Sequence, residues 1–178
     1  NGVFPDNKND NVNCLRQAIV FSSLLLSNEF DAGRIALYFN MEIYAVMYGQ
    51  HRLIEEPELT ACGCGPRDLV LVALSGGADS TALLRSLAAC REEGEICGLF
   101  AAHLNHGIRG ESANRDQRFC EALCADLNIP FATETIDVPT IAKARGQSLE
   151  QAAREVRYAF LEQARESFHA DFIATAHH

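Results

Sequence analysis

Ser75-Gly76-Gly77-Ala78-Asp79-Ser80 gathers two hydroxyls, two glycines and a carboxylate between an apolar run and an apolar helical pattern. These residue types can hold a phosphate. Glycine tolerates positive φ and lets backbone approach a ligand closely. A helix that starts behind the loop aims free N–H groups and a partial positive charge back into it. Ser75 and Ser80 add hydroxyl donors. Asp79 is the odd member, because a carboxylate repels phosphate unless a cation lies between them; it therefore points to Mg²⁺. No lysine lies in the loop, and neither the GxxxxGK(S/T) spacing nor GxGxxG occurs. The plain alternative is a Gly-Gly turn with Asp or Ser capping the helix. The whole string after a strand-like run favours the ligand.

Other polar residues cluster at similar places. His103 and His106 bracket Asn105, and Arg109 follows them. His177 and His178 end the chain after another apolar run. Metal ligation needs three or four convergent groups, and the spacing offers none, so a structural or nucleotide-lining role fits the histidines better than zinc. Arg154, Arg157 and Arg165 fall at or beyond the edge of an apolar helical arc of Leu149, Ala153, Val156, Phe160 and Ala164, at roughly 100° per residue. Such guanidiniums either snorkel or reach for a phosphate or carboxylate.

The elements that must position these residues alternate. Residues 68–74 form a short aliphatic run, the signature of a strand buried on both faces. A helix follows over 81–92, a strand over 96–104, and a helix over 112–127 opened by a good cap. Then come a strand over 131–136 and a short helix over 140–145. Ser148 and Gln151 fit a capping box that opens a long helix to about residue 168, and a strand follows over 171–176. This order implies an α/β fold, a parallel sheet with helices on both faces. Ligands in such sheets sit outside the carboxyl ends of the strands. Those ends are 75–80, 103–109, 137–138 and 177–178, where the unusual polar residues fall.

The rest of the chain is different. Residues 1–65 are rich in Asn and carry three of the four tyrosines, while 66–178 are rich in Ala, Arg and Glu. The ACGCGPRD stretch between them reads as a linker. Within the first part, 15–26 and 35–48 could be helices, in an extension of unknown role. A net charge of -9 over 178 residues argues against a surface that is one large nucleic-acid patch. Seven cysteines at scattered spacings do not read as a disulfide framework. Free thiols, and a cytoplasmic location, are the expectation. No run approaches the roughly 18 apolar residues of a membrane span. The chain begins with Asn and ends directly after a strand pattern, which reads as a fragment truncated after its fourth strand.

The loop string resembles the PP-loop signature of the N-type ATP pyrophosphatases, a family that includes GMP, NAD and asparagine synthetases. That resemblance implies cleavage of ATP between its α and β phosphates, with the loop holding the pyrophosphate. HLNHGIR at 103–109, SLEQAAREVRY at 148–158 and AHH at 176–178 extend it. Over residues 67–178 the chain resembles the N-terminal catalytic domain of the tRNA(Ile)-lysidine synthetase family. The resemblance implies ATP and Mg²⁺ as cofactors, with free lysine and an isoleucine tRNA bearing a CAU anticodon as partners. C2 of the wobble cytidine is adenylated, and the lysine ε-amine then displaces AMP.

The same resemblance implies the site. Ser75, Gly76, Gly77, Ala78, Asp79, Ser80, His103 and His178 line ATP. Asp79 is the Mg²⁺ ligand, and it acts in catalysis with Arg154 and His177. Arg109 and Arg157 contact substrate. In the family an acidic cluster follows the histidine pair, and C-terminal regions assist with tRNA. Neither is present in this chain, so a nucleotide-holding module without turnover is an alternative. A second alternative is the related tRNA thiolation branch, which often carries Lys at the Ala78 position and cysteines for sulfur chemistry. Cys120 and Cys124, and Cys62-Gly63-Cys64, do not form the paired C-x-x-C of a cluster.

Overall fold

The computed structural model describes residues 36–40, 54, 56–108 and 110–177, with backbone alone at 36–40 and 177. The strands are β1 (Ala36–Asn40), β2 (Leu69–Ala73), β3 (Gly98–Asn105), β4 (Phe131–Thr135) and β5 (Phe172–His177). They form one sheet in the order β1-β5-β2-β3-β4, and every neighbouring pair is parallel. The helices are α1 (Glu56–Ala61), α2 (Ala78–Glu92), α3 (Glu111–Asp126), α4 (Val138–Arg145) and α5 (Leu149–Phe168).

Strand β2 explains the layering. Val70, Leu71 and Val72 are all fully buried, and alternation sends them to opposite faces. Val70 and Val72 join Leu83, Leu84 and Leu87 of α2 and Cys120, Leu123 and Cys124 of α3. Leu71 joins Phe160, Leu161 and Ala164 of α5, where Phe100 also stacks on Phe168 at 4.7 Å between ring centroids. Ile54 and Leu59, upstream of the Gly/Pro stretch, and Cys64 within it pack into the first of these cores. A third cluster of Val138, Ala142, Ala152 and Val156 joins α4 to α5.

Several element boundaries differ from the sequence expectation, each for a local reason. Residues 36–40, inside the stretch read as a helix over 35–48, form the edge strand β1. Their Leu-Tyr-Phe core suits a strand, and β5 offers them a free ladder. The helix read over 15–26 lies outside the described residues. Helix α2 starts at Ala78 rather than 81, with Gly77 as its N-cap, so Asp79 and Ser80 belong to its first turn. Helix α3 begins behind Gly110 without a side-chain cap, so the good cap expected at its start is not formed.

Helix α4 gains two residues because Asp137 caps it, accepting from the Thr140 N–H at 3.1 Å and the Thr140 hydroxyl at 2.7 Å. Ser148 caps α5 through the Gln151 N–H at 3.1 Å. The Gln151 amide donates instead to Glu155 at 3.1 Å. On α5, Leu149 is 43% exposed and Ala152 takes its expected place in the core, because α4 packs there. Arg165 is buried: it donates to both Glu162 oxygens at 2.9 and 2.6 Å and to the Ala170 carbonyl at 2.8 Å. That makes it a structural residue.

Candidate functional site

The loop grows directly out of β2. The Leu74 N–H still reaches the Ala102 carbonyl at 2.8 Å, so the ladder runs one residue past the strand. Hydroxyls then shape the turn. The Ser80 hydroxyl donates to the Gly77 carbonyl at 3.1 Å and accepts from the Ser75 N–H at 3.1 Å. Its one hydrogen is thereby used, so the Ser75 hydroxyl is the donor across the 2.9 Å Ser75–Ser80 contact. Ser75 Oγ also accepts from the Gly77 N–H at 3.3 Å. The hydroxyl hydrogens read as ligand donors are thus engaged inside the loop. Helix α2 has no side-chain cap, and the Thr81 N–H reaches back to the Gly77 carbonyl at 3.1 Å. The amides ahead of it have no intrahelical acceptor.

The two glycines do different things. Gly76 has φ +84°, and a Cβ there would stand 3.3 Å from Asp116 Cβ and 3.4 Å from Cys120 Sγ. Conformation and packing both demand glycine. Gly77 is extended, at φ -78° and ψ 166°, and a Cβ would meet only Ser75 Oγ at 3.5 Å. The fold does not need glycine there.

Beside the loop a cavity of about 340 Å³ opens at the carboxyl ends of β2, β3 and β5. Ser75, His103, Asn105, Asp116, Arg157, Tyr158 and Thr175 line it. The buried His103 places Nδ1 2.8 Å from the Leu74 carbonyl and 3.6 Å from Cys120 Sγ. A carbonyl only accepts, so Nδ1 carries the hydrogen and Nε2 of the neutral ring is an acceptor. Neither His103 Nε2 nor Thr175 Oγ1, both buried, has a hydrogen-bond partner. Asn105, also buried, donates to Asn114 at 3.2 Å and Gln117 at 3.4 Å, and accepts from the Gly107 N–H at 3.0 Å. It thereby ties the turn after β3 to helix α3.

A family model described as a PP-loop domain matches residues 51–178. The chain belongs to the PP-loop family. It is 46% identical over 110 residues to a tRNA(Ile)-lysidine synthase of Clostridium perfringens, covering 62% of this chain and 23% of that protein. It is 48% identical over 109 residues to a tRNA(Ile)-lysidine synthase of Thermotoga maritima, covering 61% and 26%. The chain thus spans about a quarter of the length of these curated relatives. An NH3-dependent NAD synthetase structure from Campylobacter jejuni overlaps at a TM-score of 0.45 and 22% identity, over 67% of this chain and 49% of that one.

Among the PP-loop residues singled out in the sequence, Ser75, His103 and Arg157 line the cavity. Gly76, Gly77, Ala78, Asp79 and Ser80 form the turn and helix start beside it. Arg154 is not on the cavity wall; its guanidinium lies 5.2 Å from the centre of the Tyr158 ring, which Arg157 also approaches at 5.5 Å. His177 is the last residue of β5, paired with Asn40, while Arg109 and His178 lie outside the described residues. Sequence reasoning missed Thr175, Tyr158 and Asp116. Thr175 had a faint signal, a polar residue inside the apolar run of β5. Tyr158 stands one helical turn after Arg154. Asp116 had none, since only folding brings it under Gly76.

Among the described cysteines, all free, the thiols near the loop are poor nucleophiles. Burial pushes Cys120 up to about 12 and Cys124 up to about 11. No group of three or more His, Cys, Asp and Glu among the described residues could hold a metal ion.

Proposed function

We propose that this PP-loop domain binds Mg²⁺·ATP and serves the ligation of lysine to C2 of the wobble cytidine in an isoleucine tRNA with a CAU anticodon. The tRNA is adenylated first. The lysine ε-amine then forms the C2–N bond as the C2–O bond to AMP breaks, and pyrophosphate and AMP are the other products. The nucleotide half of this reading is carried by the lysine-free loop, whose amides and Gly77 open beside a ligand-sized cavity. The choice of lysine and tRNA is supported by the 46% and 48% identity to proteins named for that product.

The residues fit the groups they would hold. The loop backbone would bind the pyrophosphate end, and Arg157 would add positive charge from the cavity wall. With no three-residue metal cluster among the described residues, a divalent cation here would rest on one or two carboxylates, phosphate oxygens and water. That is the habit of Mg²⁺. Asp79 in the first turn of α2 and Asp116 on the cavity wall are those carboxylates. The ion would neutralise charge on the leaving pyrophosphate. The buried Cys120 and Cys124 thiols speak against sulfur transfer from that side of the loop. No helix among the described residues is long and apolar enough to cross a membrane, and a cytoplasmic site of action goes with the tRNA substrate.

The test is pyrophosphate release from Mg²⁺·ATP with and without lysine and a CAU-anticodon tRNA. Release should rise only when both are present, and labelled lysine should enter the tRNA. ATP binding without any such stimulation would leave a nucleotide-holding module and remove the ligase reading. Sulfur entering the tRNA from a separately labelled sulfur donor would favour the thiolation branch.

A further inference from the structure

Helix α5 gathers two guanidiniums on one aromatic ring. The Arg154 guanidinium lies 5.2 Å from the centre of the Tyr158 ring and the Arg157 guanidinium 5.5 Å from it. Both are inside the roughly 6 Å over which an aromatic face attracts a cation. Arg154 comes from one turn earlier, the ordinary i,i+4 relation on a helix. Arg157 is the immediate neighbour of Tyr158, and adjacent helical residues do not face each other, so its side chain turns back to meet the ring. Two other arginines of this region are held by carboxylates: Arg145 by Glu155 at 3.3 Å and Arg165 by Glu162 at 2.6 Å. Arg157 has no carboxylate partner among the described residues. It and Tyr158 both line the cavity.

We propose that Tyr158 is a positioning residue, whose ring face holds the Arg157 guanidinium in place for the phosphates of the nucleotide. This rests on the ATP reading above and adds the residue that orders the charge. A free arginine side chain loses much rotamer freedom when it grips an anion. A carboxylate partner would order the guanidinium but would also cancel its charge and occupy its N–H groups. A ring face orders it and leaves charge and donors for the ligand. The ring itself stands on a fixed part of α5. Leu161, one turn on, is 3% exposed and packs with Leu71, while Val156 packs against α4. Ordering of Arg157 is therefore largely complete before the ligand arrives, which favours affinity. Arg154 on the same ring brings a second positive charge to this side of the site.

The test is calorimetric titration of the full chain with Mg²⁺·ATP, with the melting temperature of each variant as the control for folding. Tyr158→Leu keeps an apolar side chain without a ring and should weaken ATP binding about threefold to tenfold. Tyr158→Phe keeps the face and should restore affinity to within about twofold of the parent. Ring fluorines drain the face of electron density while making the ring more apolar. A series of Tyr158→Phe chains with one, two and three ring fluorines should therefore lose ATP affinity stepwise, with no matching fall in melting temperature. The series should be shallower in an Arg157→Gln chain, because the ring then has one cation fewer to hold. Packing alone would not follow the fluorine count. Equal affinity across the series, or a Tyr158→Phe chain as weak as Tyr158→Leu, overturns the proposal, and so does a series as steep without Arg157 as with it. A parent chain that binds no ATP overturns the ATP reading itself, which is a different outcome.

Discussion

Gly76 and Gly77 stand side by side and answer to different demands. Gly76 is held at positive φ against Asp116 and Cys120. A side chain in that backbone region costs about 1–2 kcal/mol, before the contact strain is added. Gly77 has ordinary backbone angles and a Cβ there would make only an ordinary contact with Ser75 Oγ, so the gain from a stiffer unfolded chain and the poorer N-cap of alanine roughly offset, and stability should change by less than about 1 kcal/mol. Denaturant melts should therefore show Gly76→Ala destabilised and Gly77→Ala intact. Titration with ATP should show the reverse emphasis, a folded Gly77→Ala that binds ATP poorly. A Gly77→Ala protein with parental ATP affinity would remove the close-approach role. Asp79 makes a second residue-scale case. Asp79→Ala should abolish the part of ATP affinity that depends on Mg²⁺, read as the ratio of affinities with and without the ion. A ratio equal to the parent's would show that the carboxylate does not carry the ion.

Helices α4 and α5 matter because α5 delivers Arg157 and Tyr158 to the cavity while α4 props its first turns. Their junction is held by side-chain caps and one carboxylate hub. Losing a serine N-cap costs about 1 kcal/mol, so Ser148→Ala should lower the melting temperature by a few degrees without changing the far-ultraviolet spectrum at low temperature. The hub is pH-dependent. Bonds from the Gln147 and Gln151 amides, then the Arg145 charge, hold the Glu155 carboxyl below its ordinary range. The Thr140 hydroxyl and N–H do the same for Asp137. A lowered folded value means the contribution is complete above the ordinary carboxylate range and disappears as pH falls through the lowered values. Melts from pH 6 to 3 should thus show an acid-side loss, smaller in an Asp137→Asn, Glu155→Gln double variant than in the parent. Parallel curves would show that these bonds add nothing to stability.

At the same scale the sequence was legible where periodicity decides the matter. β2 read correctly because an apolar run between turn residues has few other uses, and α5 ran to Phe168 as its pattern said. Its ends and faces were less legible. Caps at Asp137 and Gly110, and the rotation that buries Ala152 instead of Leu149, depend on which neighbour is there to pack. The candidate site divides in the same way. Ser75, Asp79 and His103 stand out by type and spacing. Thr175 looks like an ordinary strand residue until its hydroxyl is found buried beside a cavity with nothing to bond.

The sheet ties distant parts of the chain into one support for the site. β1, near the start, pairs in register with β5, with Ala36 opposite Ile173 and Asn40 opposite His177. β5 in turn supplies Thr175 to the cavity and pairs with β2, which runs into the loop. Without β1, β5 would become the sheet edge, a row of unpaired N–H and C=O groups that invites another strand. It would also lose the ladder that fixes its last residues. Removing residues 1–40 should therefore do three measurable things. The truncated chain should melt at lower temperature, self-associate in sedimentation as concentration rises, and bind ATP more weakly, since Thr175 loses the support on its outer side. A lysine placed on the new edge at Phe172, only partly buried, should suppress the association without restoring the melting temperature, because charge blocks an edge but does not replace a strand. If the truncated chain stays monomeric with parental stability and affinity, β1 is an ornament of the sheet and β5 positions the cavity by its pairing with β2 alone.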